Sequence, residues 1–407
     1  MLFRKLCWIG AMGFLSYNLS RFPIIPLYAQ SLGVRPELIG FVVAASTITG
    51  IPGKLLFGTL SDHWGRRRLL VASMVICSLI PFLYVFLSPG YALLLAIRFC
   101  HGLATAMLGP VSRAVVADLA KENERGTKLG IYTGANMIGT TIAPMLGGWL
   151  LSRTGFKGPF IASGVFGMIA LALALRWPKD HKQNHPHPIP PPSRGREFKE
   201  NGFFDGVRYI LKQPALRATG VVEASKFFAT GAIEAFLPIY ASAVAHLNET
   251  QIGILFGVQV LGTLLTKPMM GWLSDRIGRR PLIIWGLLAA ASLVWLIPHT
   301  QVFHLLVAIA VIYGVAAAAV TVSTAAFVTD LASGGNSASR GEAAPRPYYG
   351  SAHGVFGTMM DIGHAGGPIC AGVFVAHLGF QWAFLIFSLV LASSAVVFSV
   401  VTSEKKR

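Results

Sequence analysis

Apolar stretches of about twenty residues recur along the whole chain, separated by short polar or basic segments. An α-helix rising 1.5 Å per residue needs about that length to cross a hydrocarbon core of about 30 Å. The pattern predicts twelve spans: 6–28, 38–60, 69–88, 91–114, 129–151, 158–177, 216–243, 250–272, 282–298, 302–328, 351–377 and 381–402. One long polar stretch interrupts them and contains PKDHKQNHPHPIPPPSRGREFKE, whose proline run cannot be helical. The expected fold is an all-α polytopic membrane protein with twelve transmembrane helices. A six-helix half over 1–177 and another over 216–407 are joined by a basic, Pro- and His-rich linker over 178–215.

Composition sharpens this picture without changing it. The 407 residues are 54% hydrophobic and 13% charged, with a mean hydropathy of +0.60. A soluble chain would carry roughly twice that charged fraction. The formal net charge of +17 is a matter of topology, because twenty-five of the 34 Lys and Arg fall in alternate loops, counting Arg176 and Arg217 at the span edges with the linker. Only Arg35, Arg153 and Lys157 lie in the loops of the opposite side, and six lie deeper within spans. Basic short loops stay in the cytoplasm, so both termini are expected there, with the lipid bilayer and not nucleic acid as surroundings. The opening MLFRK and apolar run resemble a signal peptide, but Asn18 and Arg21 interrupt the run and a retained first helix is expected.

Cys7, Cys77, Cys100 and Cys370 all fall in spans, where packing is their ordinary role, so no disulfide framework is expected. His181, His185 and His187 have metal-ligand chemistry, but a flexible linker preorganises nothing, and neither metal nor cofactor is expected.

The polar segments contain a repeat. Residues 54–67 read KLLFGTLSDHWGRR and residues 267–280 read KPMMGWLSDRIGRR. Both give K-x-x-x-G-x-x-S-D-x-x-G-R-R, pairing Lys54 with Lys267, Asp62 with Asp275, Gly65 with Gly278 and Arg66 with Arg279. An offset of 213 residues is too long for a solenoid unit and suits a transporter built from two repeated halves. The repeat extends further: Pro26 aligns with Pro238, and SRAVVADL aligns with TAAFVTDL, pairing Asp118 with Asp330. GTTIAPMLGG, with Gly139, Pro144, Gly147 and Gly148, aligns with GHAGGPICAG, with Gly367 and Pro368. Small residues at that spacing let helices approach closely, and proline bends them. The offset there grows to 224 because of an inserted polar segment, SGGNSASRGEAAPRP, expected to lack fixed structure.

Charges within spans are rare, costly and functional by default. The acids are Glu223, Glu234 and Asp361. Glu223 and Glu234 lie about three turns apart on one helix face. His353, Gly357, Asp361 and His364 form a stripe on the eleventh span. A carboxylate in an apolar cavity, or a histidine beside it, is suited to load and release protons. Glu223 with Lys226, and Asp361 with His364, are equally readable as structural pairs. Glu234 has no local partner; it is the leading coupling candidate, unless it pairs across the bundle with Arg21 or Arg113. The basic residues are Arg21, Lys54, Arg98, Arg113, Lys226 and Lys267. Lys54 and Lys267 are expected to snorkel towards the cytoplasm. Arg98, His101 and Thr105 share one helix face. Asn18, Arg21, Arg113 and Lys226 are candidates to line a substrate cavity, where unpaired arginines would favour anions.

Together these motifs resemble the major facilitator superfamily and, within it, the drug/proton antiporter branch. The likeness covers nearly all of the chain outside the linker and the inserted segment. Arg98-x-x-His101-Gly102 is similar to the branch's R-x-x-Q-G, with His for Gln. Gly139-x-x-x-Ala143-Pro144-x-x-Gly147-Gly148 is similar to its antiporter motif, with Ala for Gly. The resemblance implies that Arg98 takes part in proton-coupled exchange. It also implies cytoplasmic gate clusters of Asp62, Gly65, Arg66 and Asp118, and of Asp275, Gly278, Arg279 and Asp330.

The expected function is proton-coupled efflux of a small amphipathic compound by alternating access, in a bacterial inner membrane and by a monomer. Two alternatives stay open: uptake or exchange of an anionic solute or metal chelate, and a non-transporting membrane scaffold or sensor. The chain has no Gly-rich phosphate loop, so neither an enzyme nor an ATP-driven pump is expected.

Overall fold

The computed structural model describes residues 2–86, 90–121, 124–178, 213–332 and 349–403. The linker histidines, the segment 333–348, and the side chains of Asp62 and His353 lie outside the described residues. The elements are helices: α1 (Leu2–Leu19), α2 (Ile24–Ser31), α3 (Pro36–Trp64), α4 (Arg66–Phe86), α5 (Tyr91–Leu119) and α6 (Arg125–Thr154). Then follow α7 (Lys157–Leu175), α8 (Pro214–Ala243), α9 (Glu249–Ile277), α10 (Arg279–Leu296), α11 (Phe303–Ala332) and α12 (Tyr349–Ser403). The first expected span is α1 plus α2, broken around Arg21 and a cis Phe22–Pro23 bond. The last two are the parts of α12 on either side of Gly379, whose φ of 79° ends the first part.

The distribution of side chains is inverted relative to a water-soluble protein. Arg98, Lys226, Glu223 and Asp361 are buried, while Phe86, Leu265, Trp285 and Trp382 are more than half exposed. So large an apolar exterior is stable only against lipid. Among the described residues, eight helices are long and apolar enough to cross a membrane. Prolines inside α3, α4, α5, α6, α8, α9 and α12 are tolerated because neighbouring helices help satisfy the freed carbonyls.

Packing follows the repeat. Helix α1 packs on α6 and α7, α3 on α5, and α4 on α5 and α7. Correspondingly, α8 packs on α12, α9 on α11, and α10 on α11 and α12. Two seams join these sets: α3 against α12, and α6 against α9. Both seams close through glycine. A Cβ on Gly148 would lie 2.3 Å from the Glu249 carbonyl oxygen, and one on Gly40 would lie 2.2 Å from that of Pro368. Any side chain at either position would force the seam apart. Gly139 packs on Ala11 of α1, and Gly367 on Phe228 of α8, so each small-residue motif serves a seam and its own half at once.

Candidate functional site

The repeated loops fold alike. Gly65 ends α3 at φ 90°, ψ 141°, and Gly278 ends α9 at φ 95°, ψ 153°. Residues with a Cβ rarely adopt this backbone, which turns the chain directly into the next helix. Arg66 then pairs with Asp118 at the end of α5 and reaches Ser61 Oγ at 3.3 Å. Arg279 pairs with Asp275, with Asp330 at 3.3 Å and with Ser274 Oγ at 3.4 Å. The next arginines cap helix ends: Arg67 donates to the carbonyls of Trp177 and Leu175 at 2.9 and 3.0 Å. Arg280 donates to that of Ser399 at 2.6 Å. Among the described residues, each cluster therefore ties helices within its own set. The side of the molecule bearing these loops is the loop side.

Two ion-pair groups do cross. Arg21, in the break between α1 and α2, places Nη2 3.4 Å from Glu234 Oε2 on α8. His364 Nε2 on α12 reaches the same oxygen at 2.9 Å. Arg21 also lies over the Phe22 ring at 4.8 Å, and Phe227 meets the His364 ring edge-on at 5.9 Å. Arg21 and Glu234 stand 213 residues apart, the offset of the repeated loops. They are thus repeat-equivalent to within a residue and meet where the two sets face one another. The second group joins the α3–α12 seam: Lys54 Nζ lies 2.8 and 2.6 Å from the Asp361 carboxylate oxygens.

A third pair stays within one set. Lys226 Nζ is 2.9 Å from Glu223 Oε2 and 2.8 Å from Thr321 Oγ1 on α11, and Thr324 donates to Glu223. Lys226 is 3% exposed, so it belongs to the packing between α8 and α11 more than to a cavity wall.

Several placements differ from the sequence expectations. Arg21 is not unpaired: Glu234 supplies a carboxylate from the other set, which is the cross-bundle alternative left open for Glu234. Asp361 pairs with Lys54 across the seam and not with His364. Lys54 accordingly points at its partner instead of snorkelling. Asn18 faces α6, donating to the Phe14 carbonyl at 2.8 Å and to Thr140 Oγ1 at 3.4 Å. Glu223 and Glu234 share a helix but engage different partners. Arg98 and His101 are fully buried. Arg98 donates to the carbonyls of Val42 and Val43 and to Ser46 Oγ, cross-linking α5 to α3. His101 sits 4.9 Å from the Tyr17 ring and 6.2 Å from the Tyr84 ring. Sequence reasoning missed the crossing role of Lys54; its signal was the repeat, which places Lys54 and Lys267 at matching seam positions.

Comparison with known proteins agrees with this architecture. The model of the Major Facilitator Superfamily matches residues 6–248 and, a second time, 219–407. The chain belongs to the major facilitator superfamily. Members of this superfamily are transporters and not enzymes, and the chain is a multi-pass membrane transporter of a small molecule. An uncharacterized MFS-type transporter of Methanocaldococcus jannaschii is 24% identical over 360 residues, covering 88% of this chain and 87% of that one. The multidrug resistance protein MdtG of Serratia proteamaculans is 24% identical over 391 residues, covering 92% and 87%. Among solved structures, the nucleoside transporter NupG superposes with a TM-score of 0.74 at 16% identity, over 98% of this chain and all of that one. A bacterial homolog of the human lysosomal transporter Spinster, inward-facing and occupied, gives 0.76 at 14% identity over 98% and 96%. These last two likenesses are of fold alone.

Proposed function

We propose that this superfamily transporter is proton-coupled and exports a small amphipathic compound by alternating access, with residues 1–177 and 216–407 as the moving halves. The Arg21–Glu234–His364 group carries the reading. One carboxylate oxygen is shared by a guanidinium from the first half and an imidazole from the second. A proton on Glu234 removes its charge and weakens its attraction to Arg21, so proton loading and the fit between the halves are linked. The direction rests on the small-residue motif around Pro144, the resemblance to antiporters, and relatives named as multidrug resistance proteins. On this reading the loop side is cytoplasmic, both termini are inside, the membrane is a bacterial inner membrane and the functional unit is a monomer. The Arg66–Asp118 and Arg279–Asp330 clusters brace each half as a rigid body at the cytoplasmic gate, while the two seams slide.

In proteoliposomes, substrate flux is expected to collapse when the proton gradient is dissipated with a protonophore. Flux that continues at its original rate refutes proton coupling. A second reading, transport of an anionic solute, is favoured by the cations left over once every described intramembrane acid is paired: Arg98, Arg113 and Lys267 have no carboxylate within 4.0 Å among the described residues. A scaffold or sensor has no use for a titratable group spanning two moving halves.

A further inference from the structure

The two seams are copies of one another, yet their charges differ. Lys54 and Lys267 occupy the same place in the repeated loop motif. The partner helices are related by the 224-residue offset that aligns Gly139 with Gly363 and Pro144 with Pro368, which sets Met137 opposite Asp361. The structure follows that equivalence: Lys54 meets Asp361 across one seam, while Lys267 Nζ lies 3.9 Å from Met137 Sδ across the other. Lys267 thus makes the same crossing contact as its twin, but with a thioether where a carboxylate would be.

Nothing else among the described residues supplies the missing charge. Among the described residues no carboxylate lies within salt-bridge distance of Lys267, and the charged neighbour it feels is another cation, Lys226, already engaged by Glu223. A partly buried ammonium at a moving seam without a counter-charge is costly, and such groups in membrane proteins mark substrate pathways. We propose that Lys267 is the seat for the anionic group of the transported solute, with Met137, apolar and adaptable, against the solute's apolar body. The solute is then an amphipathic oxyanion, a carboxylate or phosphate monoester carried on an apolar tail. Arg113, exposed and hydrogen-bonded only to the Gly109 carbonyl of its own helix among the described residues, is placed to attract such an anion from the loop side. This inference rests on the transporter reading but not on proton coupling, because binding is measured without a gradient.

The test is ligand-induced thermal stabilisation of the purified full chain in an uncharged detergent, with octanoate, octyl phosphate and octyltrimethylammonium as probes of matched tail. The two anions are expected to raise the unfolding temperature with dose, and the ammonium is not. Lys267→Gln is expected to weaken the apparent affinity for both anions about tenfold, as for loss of one charge-assisted contact. Met137→Asp is expected to do the same with the lysine intact, because the new carboxylate occupies the position Asp361 holds on the other seam. An anion response unchanged in Lys267→Gln overturns the proposal, whether or not Met137→Asp folds. So does stabilisation by the ammonium alone. A Lys267-dependent response to phosphatidylglycerol micelles with none to the single-tailed anions also overturns it, assigning Lys267 to a lipid headgroup.

Discussion

Helix α8 carries two intramembrane carboxylates, Glu223 buried and Glu234 partly so, with opposite attachments. Glu223 is neutralised by Lys226 three residues on and accepts a hydrogen bond from the Thr324 hydroxyl of α11, all in one half. Glu234, three turns further along, is held by Arg21 of the other half and by His364 of α12. Both are acids in apolar surroundings, and in the sequence only the presence of Lys226 beside Glu223 and the lack of a local partner for Glu234 set one above the other. On the alternating-access reading proposed above, what separates them is whether the partner moves relative to the acid. A pair inside a rigid half can stabilise that half but cannot report on its position. A pair between halves senses every change in their relation. Burial and charge therefore nominate coupling residues, and connectivity chooses among them.

Glu234→Gln probes the larger side of this contrast. The amide keeps the shape but cannot gain or lose a proton, so gradient-driven transport is expected to fall at least about tenfold, the cost of losing one charged contact. Expression is expected to stay near wild type, because Arg21 keeps its position over the Phe22 ring. Transport at the original rate in reconstituted vesicles would remove Glu234 from the mechanism.

Glu223→Gln probes the other side. It leaves Lys226, 4% exposed at its side chain, without a counter-charge. Breaking a buried pair by removing one partner costs about 3–5 kcal/mol, so a large drop in thermal stability in detergent is expected. The double variant Glu223→Gln with Lys226→Met is expected to recover most of that loss. Transport per folded molecule is expected to survive in both. A stable Glu223→Gln protein with no gradient-driven transport would place Glu223 beside Glu234 and break the comparison.

The sequence made the within-half features legible and left the crossing ones mostly hidden. Helical spans follow from apolar run length, the Gly-Arg-Arg loops follow from the repeat, and their clusters with Asp118 and Asp330 follow from the family resemblance. Glu223 with Lys226 was readable from helical spacing. The Lys54–Asp361 pair joins residues 307 apart, and helical periodicity gives a face without saying which face of the other half it meets. For Glu234 the lack of a local partner left a cross-bundle pairing with Arg21 or Arg113 open, and the offset of 213 between Arg21 and Glu234 favours Arg21, since repeat-equivalent positions meet near the axis relating the halves. Nothing in spacing alone shows that Asn18 turns into the packing with α6, or that Arg98 spends its donors on backbone carbonyls of α3.

Gly278→Ala gives a smaller effect and tests the within-half bracing. Its Cβ meets nothing closer than Pro281 Cδ at 3.7 Å, so the penalty is conformational and not steric. Forcing alanine to φ 95°, ψ 153° costs about 1–3 kcal/mol. The expected result is a modest fall in unfolding temperature with binding of substrate retained. Unchanged stability would mean that the loop relaxes without the turn geometry seen here.

The smallest expected effect belongs to Asp361→Asn, because Lys54 is 39% exposed at its side chain and can turn to water when released. Partly solvated pairs contribute about 0–1 kcal/mol, so global stability is expected to stay nearly constant. The pair nevertheless crosses the α3–α12 seam, and about 1 kcal/mol between two open-and-closed populations is about a fivefold shift in their ratio. A cysteine introduced by Gly357→Cys, on the loop-side part of α12 where a Cβ meets nothing within 4 Å, reports on that ratio in a background without native cysteines. Its labelling by a polar thiol reagent is expected to quicken severalfold in Asp361→Asn. The same test on Glu223→Gln, folded at low temperature, is expected to show no change in rate. If Asp361→Asn lowers unfolding temperature as far as Glu223→Gln while leaving labelling unaltered, the seam pair behaves as a within-half pair, and crossing is not what distinguishes the two kinds of acid.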